Sequence, residues 1–147
     1  MRKQVCIGVL AMSFLVSMLA VAPASAKSIN GVRAQIPFDF HVGSSLMPAG
    51  DYTINALTED DAALRISGDS KSAATLTIPK DARANSESKS RLVFHKYGDQ
   101  YFLAAVWGAE RTGRVLPESK RERSLRREMR VAQSGGAAME IVTINAQ

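Results

Sequence analysis

The chain has 147 residues, 46% of them hydrophobic, with 19 lysines and arginines against 14 acidic residues, for a net charge of +5. That apolar fraction excludes a disordered tail, and the length suits one modest domain. A lone cysteine excludes a disulfide framework.

The first residues carry an export pattern. Met1-Arg2-Lys3 is a short cationic start, Val5 to Val21 is apolar and uncharged, and Ala22-Pro23-Ala24-Ser25-Ala26 ends in a small-residue cleavage site. This predicts a signal peptide over 1–26, cleavage after Ala26 and a periplasmic or extracellular mature chain. The apolar run is short for a membrane span, and Pro23 argues against a retained anchor. Cys6 leaves with the leader, which removes thiolate chemistry from the mature protein.

Beyond Lys27 the pattern is that of strands. Val32, Ala34, Ile36, Phe38, Phe40 and Val42 alternate with Arg33, Gln35, Asp39 and His41, the period of a half-buried strand. Pro37 cannot donate a ladder hydrogen bond, so an edge or a bulge is expected there. Tyr52, Ile54 and Ala56 mark a second strand, Leu64 and Ile66 a third. Gly68-Asp69-Ser70-Lys71 turns the chain into a strand presenting Ala74, Leu76 and Ile78. The polar run Pro79 to Ser90 reads as a loop. Arg91 to Tyr97 and Gln100 to Trp107 form a hairpin across Gly98-Asp99, with a glycine-first turn. Tyr97 opposite Gln100 places Phe94 beside Leu103, Leu92 beside Ala105, and Trp107 on their buried face. Both faces are apolar, so this hairpin belongs mid-sheet.

The last third changes character. Pro117 suits a first helical turn, and Glu118 to Ala132 has helical composition. Leu125, Met129 and Ala132 form a narrow apolar stripe near Glu118 and Glu122, while Lys120, Arg123, Arg126, Arg127 and Arg130 fan over the opposite side. Arg111 to Arg130 concentrates the basic excess of the whole chain. A final strand follows within 137–146.

Candidate chemistry is sparse. His41 shares a strand face with Asp39, and Ser44 and Ser45 lie close by, but no oxyanion loop accompanies them; the pair reads as a solvated face. His95 reads as a packing residue opposite Phe102. Two histidines and no mature cysteine do not make a metal centre, and Glu59-Asp60-Asp61 lacks the spacing of a calcium loop. No cofactor fingerprint is present. Phe38, Phe40, Tyr52, Phe94, Tyr101, Phe102 and Trp107 read as core.

Four segments in fixed order resemble a bacterial family of short exported proteins of unassigned function: Ile36 to Gly43, Leu46 to Thr53, Leu92 to Leu103 and Gly113 to Arg123. The resemblance implies an exported all-β domain and brings no active residues with it. Met47 departs from the smaller or leucine-like residue expected before Pro48-Ala49-Gly50.

The expectation is therefore one domain over 27–147. It is an antiparallel β-sandwich or flattened β-barrel of seven or eight strands, with a basic surface helix at 117–132. Its expected role is non-enzymatic. Lys120, Arg123, Arg126, Arg127 and Arg130 would meet an anionic envelope polymer, a lipid surface or an acidic protein; export argues against nucleic acid. A carrier of small apolar ligands in the barrel interior is the alternative, and a hydrolase a distant third. The oligomeric state is left open.

Overall fold

The computed structural model describes residues 29–81, 89–109, 112–132 and 139–147. The expected signal peptide, the middle of the polar run after Asp81 and the first residues of the expected last strand lie outside them. In chain order the strands are β1 (Asn30–Ile36), β2 (Phe40–Val42), β3 (Ser45–Met47), β4 (Gly50–Ala56), β5 (Ala63–Gly68) and β6 (Ser72–Leu76). They continue with β7 (Ile78–Asp81), β8 (Arg91–Tyr97), β9 (Gln100–Trp107) and β10 (Thr112–Val115), then the helix α1 (Lys120–Ala132) and β11 (Glu140–Asn145). The protein is mostly β with one helix near the C-terminus, its sheets curled into a half-barrel and packed in sandwich fashion. The strands outnumber the seven or eight expected because β2, β3, β7 and β10 are only three or four residues long.

One sheet is antiparallel in the order β1-β4-β5-β6; the other runs β11-β8-β9-β10-β7. β2 adds to the second sheet, parallel to β9, and β3 pairs with β2. The single long strand expected over Val32 to Val42 is thus two. β1 ends at Ile36, Pro37 breaks the ladder, and the chain crosses to the other sheet. Asp39 holds this corner by accepting the Ala49 N–H at 2.8 Å. A second crossing occurs at Thr77, where β6 passes into β7. The sheets also meet beyond β11, where Arg33 and Gln147 exchange backbone hydrogen bonds of 2.8 Å.

The space between the sheets is filled by Ile36, Phe40, Met47, Ile54, Leu64, Ile66, Leu92, Phe94 and Val106, all fully buried. Each such side chain contributes about 1.5–3 kcal/mol on burial. Phe40 meets Tyr52 edge-on at 5.1 Å and Phe94 at 5.5 Å, and Phe38 meets Phe94 at 5.2 Å.

Three expectations are corrected. In β6, Ser67 pairs with Ser72, so Ala73, Thr75 and Thr77 turn inward; Leu76 and Ile78 are 70% and 59% exposed. In the β8–β9 hairpin Phe94 faces Leu103 as expected, but a bulge then sets Leu92 opposite Val106. One extra residue exchanges the faces beyond it, so Val106 enters the core and Trp107 is half-buried. The polar run also begins as a strand, since β7 pairs with β10 through Asp81. Pro79 fits there because β7 is an edge.

Candidate functional site

The outer face of the second sheet carries a cross-strand row. Ile141 on β11 stands opposite His95 on β8, His95 opposite Phe102 on β9, and Phe102 opposite His41 on β2. α1 lies over the middle of this row. Leu116 first extends β10, its N–H bonded to Ala104 O at 2.8 Å, which keeps Pro117 outside the helix. Ser119 then caps α1, its Oγ accepting the Glu122 N–H at 3.1 Å. The sequence signal for this start is Ser119-x-x-Glu122, a capping-box spacing.

Glu122, rather than Leu125 or Met129, is the most deeply buried described residue of the helix, at 4% exposure. Its Oε1 meets His95 Nδ1 at 2.8 Å. On one flank Arg121 forks onto Gln100 Oε1, with Nε at 2.9 Å and Nη2 at 2.8 Å. On the other, Arg126 pairs with Glu118 at 2.8 Å. Leu125 and Met129 are only half-buried. The helix is therefore held by polar contacts as much as by its apolar stripe. His95 is correspondingly an anchor for α1 as well as a packing residue.

His41 is not on a solvated face. It is 8% exposed and stacked on Phe102 with centroids 4.8 Å apart, and its Nδ1 has no hydrogen-bond partner. Burial first, then the positive charge of Arg121, lowers its pKa below the usual value of 6.5. Asp39 does not orient it, being exposed and bound to Ala49 N–H. Next to His95, Tyr97 is buried and donates its hydroxyl to Met139 Sδ at 3.4 Å. Burial, reinforced by Glu122 and Glu118, pushes its phenol up to about 12.

The five expected anion-facing residues are all exposed, but they divide. Lys120, Arg123 and Arg127 border a shallow depression of about 170 Å³ on the outward side of α1. Arg126 and Arg130 instead line a cavity of about 370 Å³ between α1, β8 and Met139. Among the described residues no group of three or more histidine, cysteine or acidic side chains gathers as a metal site. The acidic trio ending in Asp61 is directed elsewhere: the Asp61 carboxylate accepts the Ile29 N–H and an Arg114 N–H.

No helix among the described residues is long and apolar enough to cross a membrane. Comparison of the chain with family models, with curated proteins and with solved structures finds no match.

Proposed function

We propose that this is an exported, non-enzymatic binding domain that touches an anionic surface of the cell envelope through the outward side of α1. The observation that supports the reading is the placement of Lys120, Arg123 and Arg127. All three are exposed around one depression, and none has an ion-pair partner among the described residues. Each cation near an anionic lipid surface contributes about 1 kcal/mol of attraction. Export rests on the leader pattern in 1–26, and the resemblance to short exported proteins agrees with it. The barrel-carrier alternative gains nothing from the interior, where Phe38, Phe40, Tyr52 and Phe94 pack ring against ring.

The test is sedimentation of mature protein with vesicles rich in phosphatidylglycerol, at low and high salt. Wild type binds at low salt and is released as the Debye length falls from ~10 Å at 0.1 M to ~3 Å at 1 M. The K120Q/R123Q/R127Q variant keeps its melting temperature, because exposed charges add little to stability, and binds weakly. Equal binding by the two proteins, or none by either, overturns the reading.

A further inference from the structure

The cavity beside α1 differs from the outward depression. Its lining combines Tyr97, Met129 and Met139 with Arg126 and Arg130. Ile141, opposite His95 in the cross-strand register, continues the apolar surface past Met139. Both are open to solvent, Ile141 at 62% and Met139 at 40%. Large apolar side chains grouped beside a cavity mark a binding surface more often than a bare sheet face. Among the described residues, α1 covers the row from the β9 side and nothing covers this β11 side.

The volume, about 370 Å³, falls within the range of small-molecule sites. The charges decide the chemistry. Glu118 is paired with Arg126 and Glu122 with His95, each at 2.8 Å, while Arg130 has no ion-pair partner among the described residues, so the charge left open to a ligand is the Arg130 guanidinium. A cation is disfavoured there; a ligand with an anionic head and an apolar tail fits both halves. Tyr97 stays neutral across the physiological range and adds no negative charge to those of Glu118 and Glu122, both of which are already paired.

We propose that the cavity between α1 and the β8–β11 edge binds a single-chain carboxylate amphiphile. Its carboxylate meets Arg130 and Arg126, and its chain lies over Met129, Tyr97, Met139 and Ile141. The ligand class is a free fatty acid rather than a bilayer lipid, because the cavity accommodates one chain. The inference does not depend on the anionic-surface reading, which rests on other side chains.

The experiment is fluorescence titration of the mature protein with dansyl-aminoundecanoate. A saturable, one-to-one enhancement is expected, reversed by dodecanoate but not by dodecyltrimethylammonium or dodecyl maltoside. R126Q/R130Q should weaken dodecanoate binding about tenfold and leave dodecanol binding unchanged. M129Q/I141S should weaken both, whereas K120Q/R123Q/R127Q should alter neither. Photocrosslinking of wild type with a diazirine fatty acid, mapped by mass spectrometry, tests the location without any variant; labels belong on the peptides holding Met129 and Met139. Absence of saturable enhancement, label elsewhere, or equal loss in the K120Q/R123Q/R127Q protein overturns the proposal. Displacement by the cationic amphiphile as readily as by dodecanoate overturns it too.

Discussion

The Asp61 carboxylate lies 3.2 Å from the Arg114 guanidinium, and this pair joins the two sheets from inside. Asp61 sits in the turn between β4 and β5 at φ 53°, is 1% exposed, and also accepts the Ile29 N–H at 2.9 Å. Arg114 comes from β10 and donates further to the Asp60 carbonyl at 3.1 Å. Thr77, at the crossing from β6 to β7, donates its hydroxyl to the Asp61 carbonyl at 2.5 Å. One turn therefore gathers both sheets and a crossing between them.

Removing either charge breaks this ion pair where both side chains are largely withdrawn from solvent. Asp61→Asn and Arg114→Met should each destabilise by about 3–5 kcal/mol in denaturant melts. Asparagine is the informative replacement, because it tolerates the left-handed conformation and isolates the lost charge. The double variant should lose less than the two single losses together, since each single change already breaks the same pair. Strict additivity would mean that the two side chains act independently.

His41 gives the fold a sensitivity to acid. Its pKa is lowered in the folded state, so below about 6.5 the unfolded chain binds the proton more readily. Stability is complete above that value and declines as pH falls through the folded-state pKa. The slope cannot exceed about 1.4 kcal/mol per pH unit for one proton. Urea melts between pH 7.5 and 5 should show the decline, and His41→Phe, which keeps a ring stacked on Phe102, should flatten it. An unchanged slope in that variant would assign the effect to another group.

Tyr97 acts at the alkaline end. An exposed phenol titrates near 10, whereas that of Tyr97 is held to about 12, first by burial and then by Glu122 and Glu118. The folded protein keeps a proton that the unfolded chain has lost. The resulting stability is full below pH ~10 and disappears as pH rises through ~12, on the order of 2 kcal/mol. Ultraviolet titration should show a late phenol that is missing from Tyr97→Phe, while that of Tyr52, also raised by burial and then by Asp39 and Asp69, remains. Release of every tyrosine proton together near pH 10 would place the ring in solvent.

Much of the fold was legible because period-two alternation and glycine turns act locally. Val32, Ala34 and Ile36 point inward as their spacing required, and the Gly98-Asp99 turn set His95 opposite Phe102. The errors arise where distant contacts outweigh local pattern. Leu76 and Ile78 made the more apolar face of their strand, yet the pairing of Ser67 with Ser72 and the Thr77 contact with Asp61 turn them outward. The bulge past Phe94 and the crossing at Pro37 belong to sheet assembly, which alternation does not encode. His41 looked solvated because nothing local announces that β2 pairs parallel to β9 beneath α1. The basic stripe was legible as a stripe. Its division into an outward group and a cavity group was not, since that depends on which flank of the helix lies against β8.

Trp107 provides the last test, because its half-buried position changes the expected size of its contribution. Its ring lies over Gly113, which it faces across β9 and β10, and the Arg91 guanidinium stacks 4.9 Å from the ring centroid. A Cβ on Gly113 would stand 2.5 Å from a Trp107 ring carbon and 2.8 Å from the Lys80 carbonyl oxygen. The glycine is thus required by close approach on two sides, and Gly113→Ala should destabilise by about 1–3 kcal/mol through overpacking. Trp107→Ala should remove about 1–2 kcal/mol, less than the 3–5 kcal/mol typical of a fully buried large aromatic. In the double variant the ring clash is gone while the backbone clash with Lys80 remains. Its destabilisation should therefore fall short of the sum of the single effects without vanishing. Thermal melts of the four proteins in one cycle measure this coupling, and simple additivity would mean that the ring does not rest on Gly113.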